Sequence, residues 1–138
     1  MRFERVLSRT GLTVALSLAL TPAVFSVGPE IEARFFPVVT MANIESVEKV
    51  ADGVAFYVSF DKLRQCEFLG VTWYLGAERV GIEFEPGHNL YPKSRPVGDQ
   101  YAGPWLVRNV TSLEGTRAAT VHSCHPLWET VTPFYAGD

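Results

Sequence analysis

The sequence lacks the motifs by which many catalytic and nucleotide-binding proteins are recognised. None of its 138 residues belongs to a glycine-rich phosphate loop, a serine-hydrolase elbow or a zinc-binding helix motif. It also lacks internal repeats, low-complexity runs and long linkers. These absences argue against an enzyme and favour one compact domain without catalytic activity.

Basic residues are scarce beyond the N-terminus and do not cluster with aromatic residues. The chain has 12 Lys and Arg against 15 Asp and Glu. Residues 1–29 hold three of the basic residues and one acidic residue, so residues 30–138 have nine against fourteen and a net charge near −5. A protein that neutralises phosphates needs the opposite balance. We therefore expect no nucleic-acid partner.

Charge is absent from the twenty residues between Thr10 and Pro29, and Arg2, Arg5 and Arg9 precede this run. Positive charge before an apolar segment is typical of an export signal. As a helix rising 1.5 Å per residue, the run would reach about 30 Å, the thickness of a hydrocarbon core. We predict that residues 1–29 form a signal anchor or signal peptide and that residues 30–138 form an extracytoplasmic domain.

The sequence leaves open whether this segment is retained or removed. Pro22 and the scattered hydroxyl residues suit a cleavable signal peptide, and cleavage near Ser26 would give a secreted or periplasmic soluble protein. Against cleavage, the usual Ala-x-Ala spacing is absent and apolar sequence resumes at residues 33–39. We favour a single-pass protein of a bacterial inner membrane, with its C-terminal domain in the periplasm.

The chain has only two cysteines, Cys66 and Cys124. In an oxidising compartment, an even pair in a small domain is more often a disulfide than two free thiols. We predict that the two cysteines are bonded. The chain-entropy model gives a crosslink across a loop of this length a stabilisation of up to about 4 kcal/mol.

Alternation of apolar and polar residues predicts a β-protein. Val54, Phe56 and Val58 alternate with Ala55 and Tyr57, a period of two that is typical of a half-buried strand. No amphipathic helix longer than two turns is predicted after residue 30. Short strands are predicted at residues 41–50, 54–60, 66–75, 80–85, 105–110, 118–124 and 127–134. About seven strands predict an all-β, antiparallel sandwich of immunoglobulin or fibronectin type, preceded by one N-terminal hydrophobic helix.

Three finer expectations concern burial. The strand at 66–75 is apolar on both sides, so we expect it to be covered on both faces. The three tryptophans, Trp73, Trp105 and Trp128, are expected in the core. The charged sequence of Asp61, Lys62 and Arg64 is expected to be a solvated hairpin tip.

Several short sequences give a resemblance to small exported or single-span proteins of bacteria and their phages. They are ARFFPVV at 33–39, KLRQC at 62–66, GPW at 103–105 and HSCHPLW at 122–128. The resemblance implies a tethered ectodomain and implies no activity.

The proline- and glycine-rich residues 86–104 predict an irregular loop of about nineteen residues. Long loops on a rigid sandwich often carry binding residues, and aromatic and Arg side chains are frequent among them. The candidate binding residues in or beside this loop are His88, Tyr91, Lys93, Arg95, Tyr101 and Trp105. The alternative is a connection whose aromatic residues pack on the core.

The leading hypothesis is a membrane-tethered binding or accessory subunit, held in the membrane by residues 10–29, with a protein partner in the membrane or periplasm. One alternative is a periplasmic metal-binding or redox protein that uses His122, Cys124 and His125, since imidazole and thiolate bind zinc and copper. A second alternative is a secreted protein that binds a small ligand or glycan. We predict no cofactor.

Overall fold

The computed structural model describes residues 2–85 and 94–137, with the backbone alone for residues 2–10. One helix precedes a set of strands. Their bounds are α1 Arg2–Phe35, β1 Asn43–Val50, β2 Gly53–Lys62, β3 Glu67–Leu75, β4 Glu78–Val80, β5 Ile82–Phe84, β6 Gly98–Arg108, β7 Thr116–Ser123 and β8 Thr130–Ala136.

The strands form two antiparallel sheets with the orders β1-β2-β6-β5 and β4-β3-β7-β8. These orders correspond to A-B-E-D and C′-C-F-G of an immunoglobulin-like sandwich. The predicted fold class, a β-sandwich behind an apolar helix, is confirmed. The described residues form eight strands because the predicted strand at 80–85 is divided at Gly81. Its first half pairs with β3 and its second half pairs with β6 in the other sheet.

The core lies between the two sheets. Val54, Phe56 and Val58 of β2 are fully buried, as the alternation predicts. The Phe56 ring lies 5.2 Å from the ring of Trp73 and 6.2 Å from that of Trp105. Full burial of such large apolar side chains stabilises the fold by roughly 1.5–3 kcal/mol each.

Strand β3 is covered on one face only, so the expectation of two covered faces was wrong. Val71 and Trp73 on the inner face are buried, whereas Thr72 and Tyr74 on the opposite face are only half-buried. A sandwich has two layers, and each sheet therefore has an outer face without a partner. The apolar residues on both sides of this strand reflect its β-propensity as well as its burial.

A bulge explains why the first strand has an ambiguous pattern. Ile44, Val47 and Val50 are three residues apart, which is closer to helical spacing. The pairing of β1 with β2 shifts between Glu45 and Glu48, and Ser46 has φ 50°. The extra residue breaks the period of two, so the sequence of this edge strand does not alternate.

The loop expected at 86–104 does not extend to residue 104, because β6 begins at Gly98, and its residues 86–93 lie outside the described part of the chain. The segment from Gly98 to Trp105 pairs with β2, so proline and glycine do not exclude a strand here. At the other end of the chain, β8 begins at Thr130 instead of residue 127. The residues between β7 and β8 form a loop, 124–129, that reaches the helix.

The helix is joined to the sandwich by a buried segment. Val38 and Val39 are 0% and 3% exposed, and Val39 forms a β-bridge with Lys62. The backbone of Thr40 bonds to Asp61, and the backbone N–H of Ala42 donates to the carbonyl of Phe134 at 2.6 Å. Since these residues pack between the two sheets, the connection is part of the core.

Cys66 and Cys124 form the predicted pair, with their Cα atoms 4.6 Å apart. Cys66 lies just before β3 and Cys124 just after β7, and Glu67 pairs with Ser123 between these two strands. The bond therefore closes one end of a single sheet. It differs from the antibody disulfide, which joins the two sheets.

Candidate functional site at the helix–sandwich junction

The last turns of α1 contact the sandwich through one buried carboxylate. Glu32 is 8% exposed. Its Oε1 accepts a hydrogen bond from Arg64 Nη1 at 2.9 Å, and its Oε2 lies 2.9 Å from His125 Nε2 and accepts from Trp128 Nε1 at 2.7 Å. We call Glu32, Arg64, His125 and Trp128 the junction cluster. It joins the helix to two separate loops of the domain.

The surroundings of Glu32 favour its charged form, although the side chain is buried inside the junction. Burial alone would raise the pKa, but the hydrogen bonds from His125, Trp128 and Arg64 outweigh burial and lower it from 4.5 to about 2. A carboxyl with a lowered pKa contributes its full stabilisation above the unfolded pKa of about 4.5. That contribution is lost as the pH falls toward 2.

Trp128 packs on the helix, and the expectation that it belongs to the core was wrong. Its ring meets the Phe25 ring edge to face, with centroids 6.0 Å apart. A Cβ at Gly28 would lie 2.7 Å from Trp128 Cη2, so only glycine allows this close approach. The benzene side of the indole therefore lies on the helix at Gly28, while its N–H bonds to Glu32 one turn further along.

The residues expected at a solvated tip have different environments. Lys62 is 3% exposed, and its Nζ donates to the carbonyls of Cys66 at 3.1 Å and Arg95 at 2.7 Å. Burial lowers the pKa of this amine. Arg64 binds Glu32 and also donates to the carbonyl of Phe36 at 2.7 Å. The expectation of a solvated tip was therefore wrong for Lys62 and Arg64. Alternation along β2 places Lys62 on the inner face of this strand. Asp61 is exposed, as expected.

A small cavity lies beside Lys62 inside the sandwich. It has a volume of about 30 Å³ and is lined by Phe60, Lys62, Phe68, Arg95 and His122, among other residues. This is room for about two water molecules. Burial and the nearby Lys62 charge lower the pKa of His122 to about 4, so its ring is neutral at pH 7. The size of the cavity does not favour an organic ligand.

The predicted loop candidates are separated by the structure. Tyr101 is 57% exposed, and its ring stacks on Tyr57 with centroids 5.6 Å apart on the outer face of β2 and β6. Arg95 is half-buried and donates from Nη1 to the Tyr101 carbonyl at 3.2 Å. Trp105 is buried in the core. His88, Tyr91 and Lys93 lie outside the described residues.

The metal-ligand candidates each have another role. His122 is 2% exposed beside Phe68, Cys124 is in the disulfide and His125 bonds to Glu32. Within residues 2–85 and 94–137, no group of three His, Cys, Asp or Glu side chains could hold a metal ion. The described residues therefore give the metal and redox alternative no support.

The sequence offered little indication of the junction cluster. Glu32 resembles an ordinary solvated carboxylate after an apolar run, and Arg64, His125 and Trp128 are far from it in sequence. One signal was present. Trp128 follows His125 and Pro126, and proline near the end of a predicted strand is typical of a loop rather than of a core strand.

The helix carries the second part of the site. Its segment Gly11–Phe35 is long enough to cross a membrane, and its apolar 18-residue window has a mean hydropathy of 1.7 and contains no buried residue. Such a helix fits a signal anchor or a signal peptide. The disulfide indicates an oxidising, extracytoplasmic compartment. No protein-family model, curated protein or solved structure matches this chain.

Proposed function

We propose that this protein is a membrane-tethered, extracytoplasmic accessory subunit without catalytic activity. Residues 10–29 cross the inner membrane of a bacterium, and the sandwich lies in the periplasm. The observation that carries the proposal is the junction cluster, which packs the sandwich on the outer end of the same helix that is apolar enough to span. The arginines before the helix favour this orientation.

The rigid connection supports a tether instead of a removable signal. Cleavage near Ser26 would cut α1 between Phe25 and Gly28, both of which contact Trp128. A disposable leader has no need of such contacts with the mature domain. Pro22 and Pro29 lie inside the helix without ending it, so the helix continues from the apolar run to the junction cluster.

Membrane retention of the expressed full chain tests this proposal. After alkaline carbonate extraction, a spanning protein stays in the membrane pellet, and protease added to the periplasmic side removes the sandwich. A V24A/S26A variant carries the Ala-x-Ala spacing of a signal-peptidase site and serves as the control for release. Recovery of the wild-type domain in the carbonate supernatant would contradict the anchor.

We propose that the outer face of β2 and β6 binds the protein partner. Stacked Tyr57 and Tyr101 present an aromatic surface, and Arg95 donates a hydrogen bond to the Tyr101 backbone carbonyl. Tyrosine is enriched at interface hot spots because its ring buries a large area with little loss of side-chain entropy. Tyr101 is the residue of this group that is largely exposed.

Site-specific photo-crosslinking in native membranes tests this surface. A crosslinker at Tyr101 is expected to capture one defined protein, and Y57A is expected to reduce the capture. A crosslinker at Val131, which is 47% exposed on β8 of the other sheet, is the matched control. Equal capture from both positions would argue against the tyrosine surface.

A further inference from the structure

Exposed apolar side chains surround the junction cluster at the end of the sandwich nearest the helix. Leu127 is 58% exposed, Phe36 60% and Leu63 47%. Leu63 precedes Arg64, which holds both Glu32 and the Phe36 carbonyl, and Leu127 lies between His125 and Trp128. Three large apolar side chains exposed around one cluster indicate a surface that water does not cover in the working protein.

Contacts along the helix place this surface relative to the apolar run. Trp128 touches Phe25 and Gly28, and both belong to the uncharged run that ends at Pro29. At 1.5 Å per residue, Phe25 lies about 6 Å and Gly28 about 1.5 Å before the end of that run. If residues 10–29 fill the hydrocarbon core, the indole ring lies at its outer boundary.

The orientation of Trp128 agrees with this position. Its benzene atoms lie against Gly28, toward the apolar run, whereas its N–H points to Glu32 on the other side. Tryptophan takes this arrangement at membrane interfaces, where its apolar body enters the acyl region and its N–H stays near the headgroups. For a tryptophan inside a protein core, no particular orientation of the ring along the apolar segment of a helix is expected.

We propose that loop 124–129 inserts into the outer leaflet of the bilayer that α1 crosses. Leu127 reaches the acyl chains, Trp128 lies at the boundary, and the exposed Glu129 remains among the hydrated headgroups. The occupant of the surface is lipid, because the surface is continuous with the spanning segment through Trp128 and Phe25. This inference rests on the proposed membrane anchor.

The charges of the junction cluster are compatible with insertion. Glu32 has hydrogen-bonded partners at both carboxylate oxygens, one of them the guanidinium of Arg64. A charge that is already paired and bonded loses less on approaching the interface than a free one. The cluster therefore allows the sandwich to sit directly on the bilayer.

Depth-dependent quenching of a fluorophore tests the insertion. The cysteines present are both in the disulfide, so a single new cysteine can be labelled without reduction. An environment-sensitive dye is placed at L127C, L75C or L18C in the full chain, reconstituted in phosphatidylethanolamine and phosphatidylglycerol vesicles that contain nitroxide-labelled lipid. Leu75 lies nine residues along β3 from Cys66, about 30 Å away, and is the control outside the bilayer.

The proposal expects the label at L127C to lose most of its fluorescence to shallow nitroxides, the label at L75C to lose almost none, and the label at L18C to be quenched by deep nitroxides. If L18C is quenched and L127C behaves like L75C, the helix spans and the insertion is wrong. If L18C is also not quenched, the anchor itself fails, and the insertion fails with it.

Discussion

Replacing Glu32 by glutamine is expected to release the end of the helix from the sandwich. The variant keeps the size of the side chain and removes the charge that Arg64, His125 and Trp128 contact at 2.7 to 2.9 Å. The pKa of Glu32 is lowered from 4.5 to about 2. At 1.36 kcal/mol per pKa unit, this shift favours the charged form by at most about 3 kcal/mol, because the Arg64 side chain is 33% exposed and solvent screens its charge.

Amide hydrogen exchange of the full chain in detergent micelles measures this effect locally. The amides of residues 30–36 exchange when the last turns of α1 open, so their protection reports the free energy of undocking. A loss of about 3 kcal/mol corresponds to a protection factor roughly 100-fold lower in E32Q. The core amides of β2 and β6 are expected to change much less, since the junction lies outside the sandwich.

E30Q is the matched control, because Glu30 is on the same helical turn and is exposed. It is expected to leave the protection of residues 30–36 unchanged. A decrease in protection of less than about threefold in E32Q, which corresponds to about 0.6 kcal/mol, would mean that the Glu32 carboxylate is an ordinary surface charge.

Three further outcomes are expected. G28A puts a Cβ 2.7 Å from Trp128 Cη2 and is expected to lower the protection of residues 30–36, although alanine favours a helix by about 1 kcal/mol relative to glycine. G11A, where a Cβ meets nothing within 4 Å, is expected to leave this protection unchanged. Equal effects of the two variants would exclude the clash with Trp128. In urea unfolding, the wild type is expected to lose about 3 kcal/mol of unfolding free energy as the pH falls from 6.5 to 4, because His122, with its pKa of about 4, stays neutral in the fold while the unfolded chain binds the proton. H122Q is expected to lack this loss. The same dependence on pH in both proteins would contradict this role of His122. C66A/C124A is expected to unfold with up to about 4 kcal/mol less stability, and an unchanged urea midpoint would contradict a structural disulfide.

The sandwich could be predicted because each strand shows its alternation of apolar and polar residues within a short stretch of sequence. Val54, Phe56 and Val58 repeat with the period of a strand, and Cys66 and Cys124 lie at the ends of two strands that pair. Where the local pattern is interrupted, it is a weaker guide. The strand predicted at 41–50 is confirmed as β1 although the bulge at Ser46 makes its spacing partly helical, whereas the proline and glycine of β6 led to the wrong prediction of a loop for its first half.

The junction cluster could not be predicted because its residues are far apart in the sequence. Glu32 and His125 are 93 residues apart, and Glu32 and Trp128 are 96 residues apart. No single segment shows that these side chains meet, and Trp128 in isolation has the composition of a strand residue. The burial of Lys62 could have been inferred, since alternation along β2 puts it on the inner face with Val58 and Phe60, but its charge argued for solvent.

The intact mass of the protein in carbonate-washed membranes and in the soluble fraction distinguishes a retained anchor from a removed signal. We expect the mass of the whole chain, 15.3 kDa, in the membranes, because the helix that holds the junction cluster is retained. A product in the soluble fraction whose mass lacks residues 1–26 would contradict retention of the helix. The sandwich would then be a soluble protein, and the contact between Phe25 and Trp128 would be absent from its mature form.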